Sequence, residues 1–168
     1  MDLMRWQLGL TWSLAELHLT GLTDEACLWE PAPGAWTVRR GADGRWRPDW
    51  AEPEPDPVPA TSIGWLTWHL GWWWGTLLGH ATGGPVPPRE EVFWPGSAAA
   101  TVAELTRLHA EWSALLATTD PDRLIGYPWP EPRRFAQAAA WANLELMKNV
   151  AEIGAMRHLY ALRPARPR

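Results

Sequence analysis

One segment of the chain, from Ile63 to Gly84, contains no Asp, Glu, Lys or Arg. A run of this length is either a membrane-spanning helix or a helix that protein covers on nearly all sides. Its glycines repeat at four-residue spacing, at Gly71, Gly75 and Gly79. His69 and His80 lie inside the segment, its Trp residues sit mid-segment and no basic flank sets an orientation, which argues against a membrane span. The sequence therefore predicts a buried helix and no membrane association.

Composition narrows the class of protein further. The 168 residues suit one domain, and we expect a single domain over residues 1–168. The net charge is −4 and the basic residues are scattered, which predicts no nucleic-acid partner. Cys27 is the lone cysteine, and the N-terminus has no basic region followed by an apolar run, so we expect a cytoplasmic protein. The 15 Trp residues indicate aromatic-lined cavities or a dry interface.

Three further segments have helical periodicity. Apolar residues of the first segment recur every three or four positions, which is the period of one helical face: Leu3, Trp6, Leu10, Leu14 and Leu17. The uncharged helix begins after Thr61 or Ser62, either of which can cap it, and ends near Thr82. Thr101 and Glu104 form a capping box that predicts the start of the next helix. The last helix is predicted from about Arg133 to Ala161. Four long helices with irregular connections predict an all-α four-helix bundle.

The link between the first two long helices contains an insertion over residues 39–59. Asp43 and Gly44 between β-tolerant residues predict a small hairpin. Residues 52–59 alternate Pro with acidic residues, which favours an extended arm. We expect Trp46 and Trp50 of this insertion to cover the mouth of any site in the bundle.

Polar residues on two helices suggest where such a site lies. His69 falls on the Trp side of its helix and points toward the bundle centre, whereas Gly64, Gly71, Gly75 and Gly79 form a smooth ribbon on the other side. On the last helix, Glu145 and Asn149 are four residues apart and share one face. In one interpretation these are a solvated flank with Lys148 as ion-pair partner. In the other, one His and two oxygen ligands hold a metal ion with room left for water or substrate, as in catalytic zinc sites.

Three stretches of the sequence resemble a known family. They are Thr61 to Leu70, Asn143 to Gly154, and Trp36-Thr37-Val38 after Pro-Ala-Pro-Gly. Together they are similar to the DinB-like superfamily, which includes metal-binding thiol transferases dependent on mycothiol or bacillithiol. The resemblance implies a DinB-like four-helix bundle with the hairpin insertion between its first two long helices, the one from Leu3 to about Leu19 and the uncharged one.

The resemblance also implies a ligand set for a divalent ion, zinc or nickel. In that superfamily the ligands are commonly three His, or His, Glu and His in the mycothiol-dependent maleylpyruvate isomerase type. His69 matches the first position and Glu145 the second, and Asn149 stands where the third ligand is expected. Because an amide oxygen is a poor zinc ligand, the implied ion is weakly bound unless Glu152 or His80 completes the set. Mycothiol or another low-molecular-weight thiol is the implied cofactor.

Three functional hypotheses follow. The first is a metal-dependent thiol transferase or hydrolase with the ion between the uncharged helix and the last helix. The second is a non-catalytic module that binds a small ligand in a Trp-lined cavity around His69. The third is a dimeric structural bundle with a degenerate metal site, which uses the glycine ribbon or the surface of the last helix. A homodimer is expected under all three.

Overall fold

The computed structural model describes residues 1–164 and consists of four long helices packed as a bundle, as predicted. A short fifth helix and two small hairpins connect them. The helices are α1 (Asp2–Leu19), α2 (Asp24–Leu28), α3 (Ile63–Thr82), α4 (Ala98–Thr118) and α5 (Phe135–Leu162). Helix α3 packs against both α4 and α5, and α1 packs against α5 and α4.

The uncharged helix α3 packs against α2, α4 and α5. Fourteen of its residues are buried, including Trp68 and Trp74, which confirms the prediction of a helix covered on nearly all sides. Ser62 caps its start by accepting a hydrogen bond from the Trp65 backbone N–H, and Gly83 ends it in the left-handed conformation. Across residues 1–164, no helix combines the length and apolar character that crossing a membrane requires.

The start of α4 differs from the prediction. The helix begins at Ala98, and the N-cap is Ser97, whose Oγ accepts a hydrogen bond from the Ala100 N–H. Thr101 lies inside the first turn, where its hydroxyl donates to the Ser97 carbonyl. The expected capping box of Thr101 and Glu104 is therefore wrong, because three consecutive alanines with high helix propensity extend the helix one turn earlier.

The apolar stripe predicted from α1 is not its buried face. The α1 side chains that enter the core are Leu8, Trp12, Ala15 and Leu19. The stripe that contains Trp6 and Leu10 lies on the opposite side of the helix, where both side chains are more than half exposed. Helix α1 thus carries two apolar stripes, and the fold of one chain uses only one.

The glycine ribbon of α3 is covered only at its two ends by the described part of the chain. A methyl group at Gly64 would lie 2.9 Å from the Cys27 carbonyl oxygen of α2, and one at Gly79 would lie 2.6 Å from the Pro85 carbonyl oxygen. At Gly71 and Gly75, by contrast, a methyl group would meet no described atom within 4 Å. The ribbon therefore accommodates a short helix and a loop at its two ends and is open in the middle.

The predicted hairpin forms from strands β1 (Val38–Arg40) and β2 (Trp46–Pro48), with Arg40 opposite Trp46. Gly44 occupies the left-handed region in its turn, which explains why glycine follows Asp43 there. A second hairpin pairs β3 (Leu124–Ile125) with β4 (Arg133–Arg134). It was not predicted from sequence, because two-residue strands carry no alternating pattern.

Candidate functional site

Stacked aromatic rings surround His69 at one end of the bundle. The His69 ring lies parallel to that of Trp65, with 5.2 Å between centroids. Trp65 also contacts Trp36 at 5.6 Å and stacks on Trp50 at 6.2 Å. The Trp65 indole N–H donates to the Asp49 carbonyl, 2.8 Å away, which ties the aromatic cluster to the insertion. His69 is therefore held by ring contacts in one orientation.

A cleft of about 520 Å³ opens over these rings. Trp36, Trp65 and His69 form its apolar side, and α5 contributes a polar side. The polar residues from α5 are Lys148, Asn149 and Glu152. The arm between Glu54 and Thr61 forms a third wall. The volume is within the range of small-molecule sites, which is about 300–1,000 Å³.

The insertion contributes to the cleft in a way that differs from the prediction. Neither Trp46 nor Trp50 lines the cleft. Trp50 packs behind Trp36 and Trp65, and Trp46 packs against Trp94 at 5.4 Å between centroids. The third wall of the cleft comes instead from the proline-rich arm. No local sequence pattern indicated what this arm would pack against.

His69 is neutral at physiological pH. Burial lowers the pKa of the imidazole to about 4, with the Lys148 ammonium adding to the effect and Glu145 and Asn149 opposing it. Its Nδ1 atom is buried and has no hydrogen-bond partner within residues 1–164. A neutral imidazole can donate through one nitrogen and accept through the other, so His69 retains unused hydrogen-bonding capacity beside the cleft.

Asn149 is held by two hydrogen bonds that determine how its amide is oriented. Its Oδ1 accepts from the Trp73 indole N–H at 3.0 Å, and its Nδ2 donates to Glu152 Oε2 at 3.1 Å. An indole N–H only donates and a carboxylate only accepts, so the reverse orientation of the amide would lose both bonds. The amide oxygen is therefore already engaged by Trp73.

Glu145, the other predicted ligand on α5, pairs with Lys148. Their charged atoms are 2.6 Å apart, and the Glu145 side chain is about one quarter exposed. This is the ion pair expected for a solvated flank, and Glu145 does not line the cleft. The structure thus brings His69 and Asn149 to one cleft, adds Glu152 and Lys148, and leaves Glu145 at its border.

This donor set fits a catalytic metal ion poorly. Such a zinc site needs three ligands from imidazole, thiolate or carboxylate groups, whereas the third residue here, Asn149, is a neutral amide, and the Glu145 carboxylate is paired with the Lys148 ammonium. In the described residues, no three His, Cys, Asp or Glu side chains lie close enough to hold a metal ion. The ion and the thiol cofactor remain predictions.

The remaining candidate residues lie away from the cleft. His80 is exposed and stacks on Tyr127 at 5.4 Å. His109 stacks on Trp12 at 4.2 Å, on the α1–α4 side of the bundle. Burial raises the pKa of the Cys27 thiol to about 12, so the thiolate is scarce at physiological pH and Cys27 is a packing residue.

Comparison with known proteins agrees with this architecture. A family model described as the DinB superfamily matches residues 7–153, a range that includes most of α1, all of α3 and α4, and the polar α5 residues of the cleft. No curated protein and no solved structure matches the chain. The match extends over most of the chain, and the chain therefore belongs to the DinB superfamily.

Proposed function

We propose that this protein binds a small organic ligand in the cleft between α3, α5 and the arm, without using a metal ion. The observation that carries the proposal is the neutral His69 imidazole, which is stacked in a Trp cluster beside a cleft of suitable size and has unused hydrogen-bonding capacity. Pockets of this composition orient an apolar ligand through a few polar groups.

The lining residues indicate the class of ligand. Trp36 and Trp65 offer indole surface to a flat or apolar body. On the opposite side, Lys148 offers a donor and Glu152 an acceptor. A ligand with an aromatic body and a polar head that both donates and accepts matches this division of the cleft.

The test is a binding titration on protein treated with chelator. The probes are indole-3-carboxylate, an aromatic amine, a neutral aromatic alcohol and N-acetylcysteine, each followed by ligand-observed NMR and calorimetry. We expect at least one aromatic probe to bind and His69→Phe to weaken it about tenfold or more, since phenylalanine keeps the ring contact but removes the hydrogen bond.

His109→Phe is the matched control, because it makes the same exchange at a stacked histidine outside the cleft. It should leave binding unchanged. If no aromatic probe binds, or if both variants weaken binding equally, the proposal is wrong.

The second candidate is the metal-dependent thiol transferase or hydrolase, with zinc or nickel and a thiol such as mycothiol. Family membership and the neutral imidazole of His69 support it, because a metal ligand must be deprotonated. The test is elemental analysis of protein purified without chelator or affinity tag. Near-stoichiometric metal that is lost in both folded His69→Ala and Glu145→Ala variants would favour this candidate over the first.

The Asn149→His variant also tests whether the site binds a metal ion, by adding a ligand instead of removing one. It would supply an imidazole as the third ligand that the family pattern expects, in place of an amide whose oxygen accepts from Trp73. If the site is degenerate, zinc titration should give weak binding to the wild-type protein and binding at least about tenfold tighter to the variant. Tight zinc binding by the wild-type protein would favour the transferase or hydrolase.

A further inference from the structure

The outer side of α1 carries an apolar stripe that the fold of one chain leaves exposed. Its five side chains are between 40% and 66% exposed: Leu3, Trp6, Leu10, Leu14 and Leu17. A different set of apolar residues on the same helix packs into the core, so this stripe is not needed for packing within the chain. A contiguous apolar stripe of this kind on a folded chain marks an interaction surface.

The stripe continues onto α5. Leu144 is 71% exposed and Met147 is 37% exposed, and both line a groove of about 380 Å³ that Trp6 and Leu10 border from α1. We define the α1 outer face as the five stripe residues together with Leu144 and Met147. A single ridge of side chains with an apolar groove beside it can fit the same arrangement on another molecule.

The spacing within the stripe is symmetric about its central residue. Leu3 and Leu17 each lie seven residues from Leu10, and Trp6 and Leu14 each lie four residues from it. In an antiparallel helix pair related by a two-fold axis at Leu10, each stripe residue would meet an apolar residue of the other helix. Leu3 would face Leu17, Trp6 would face Leu14 and Leu10 would face itself. Self-complementarity of this kind is what an isologous dimer interface requires.

We propose that the α1 outer face binds a second copy of this chain, with α1 antiparallel to its counterpart and the two-fold axis at Leu10. The exposed parts of the seven side chains amount to several hundred Å² of apolar surface, on the order of the roughly 800 Å² per partner that a stable interface buries. The open middle of the glycine ribbon on α3, the other surface considered from sequence, presents no comparable set of apolar side chains.

A lipid surface is the competing occupant, and the charges disfavour it. Helices that lie on membranes carry Lys and Arg beside their apolar face. Helix α1 has Arg5 as its one Lys or Arg residue, with Asp2 and Glu16 of opposite sign, and the whole chain has a net charge of −4. An anionic bilayer would repel this surface, whereas a second copy would not require a basic flank.

The first experiment is sedimentation velocity of the full chain over a micromolar concentration series. We expect a dimer for the wild-type protein and a monomer with unchanged circular dichroism for Leu10→Asp, because two carboxylates would meet at the axis without water or a counter-charge. Leu124→Asp is the matched control, since Leu124 is 64% exposed in β3, outside the α1 outer face, and it should remain dimeric. Gly75→Leu should also remain dimeric if the ribbon is not the interface.

Cysteine cross-linking then tests the symmetry itself. Leu10→Cys alone should form an intermolecular disulfide on mild oxidation, and Leu14→Cys alone should not. A mixture of Trp6→Cys and Leu14→Cys should cross-link to each other. The native Cys27 is buried and does not interfere.

A wild-type monomer at micromolar concentration, or a Leu10→Asp protein that is still dimeric, would overturn the proposal. Cross-linking of Leu14→Cys but not Leu10→Cys would also overturn it. Binding of a monomer to phosphatidylcholine–phosphatidylglycerol vesicles that Leu10→Asp abolishes would assign the face to lipid instead.

Discussion

At the scale of single residues, the hydrogen bond between Trp73 and Asn149 links the centre of the bundle to the cleft. Both residues are buried, and the bond joins α3 to α5. Trp74, the next residue along the chain, is buried as deeply, but its indole N–H has no acceptor in the described chain. The two adjacent tryptophans are therefore equally buried, but only the indole N–H of Trp73 is hydrogen-bonded within the described chain.

This contrast predicts different costs for the same substitution. Trp73→Phe should lower the free energy of unfolding by about 1–3 kcal/mol more than Trp74→Phe, because it leaves the Asn149 oxygen buried without a donor. Trp74→Phe removes an unpaired donor, which offsets part of its cavity cost. Urea unfolding of both variants at one pH measures the difference. Equal losses would show that the bond to Asn149 does not contribute to stability.

At the scale of elements, the uncharged helix α3 contains glycines whose surroundings differ. Gly79 allows the chain after the helix to return against it, since a methyl group there would lie 2.6 Å from the Pro85 carbonyl oxygen. Gly75 has open space beside it among residues 1–164, and a glycine inside a helix weakens it. Within one four-residue repeat, Gly79 is therefore required by a close approach of the chain, whereas Gly75 is not required by any contact in the described residues.

We predict that Gly75→Ala stabilises the protein by about 0.5–1 kcal/mol through helix propensity and the entropy of the unfolded chain. Gly79→Ala should destabilise it, because the Pro85–Val86 segment would have to move. Thermal and urea unfolding of the two variants, side by side, provide the measurement. A loss of stability in Gly75→Ala would mean that something packs on the open part of the ribbon.

At the scale of the whole molecule, buried neutral histidines make the stability of the bundle depend on pH. Burial lowers the pKa of His69 to about 4 and also lowers the pKa of His109, although Glu16 opposes the effect on His109. In the unfolded chain both imidazoles titrate near their usual pKa of about 6.5. Between these values the unfolded state binds more protons than the folded state.

We therefore predict that the free energy of unfolding falls as the pH drops from about 6.5 to about 4. His69 alone accounts for a loss on the order of 3 kcal/mol, since each pKa unit corresponds to about 1.4 kcal/mol. Urea midpoints measured at neutral and mildly acidic pH test this prediction. The His69→Phe variant should show a clearly shallower pH dependence, and an unchanged dependence would contradict the assignment to His69.

The sequence alone determined the four long helices, their approximate ends and the hairpin at Asp43-Gly44. These features follow from local causes: helical periodicity, the Ser62 cap, the Gly83 stop and a turn that needs glycine. It also placed His69 on the side of its helix that points into the bundle, and Asn149 on the same face of the last helix as Glu145, because residue spacing along a helix fixes side-chain direction. The family resemblance rested on other evidence, the stretches Thr61 to Leu70, Asn143 to Gly154 and Trp36 to Val38.

The tertiary structure alone decided which of the two apolar stripes of α1 enters the core. Each stripe has helical period, and only the shapes of α4 and α5 determine that Trp12 is inside and Leu10 outside. The orientation of the Asn149 amide likewise depends on Trp73, which is 76 residues away in the chain. Helical periodicity predicts that a face is apolar. Which partner covers that face depends on packing between distant segments of the chain.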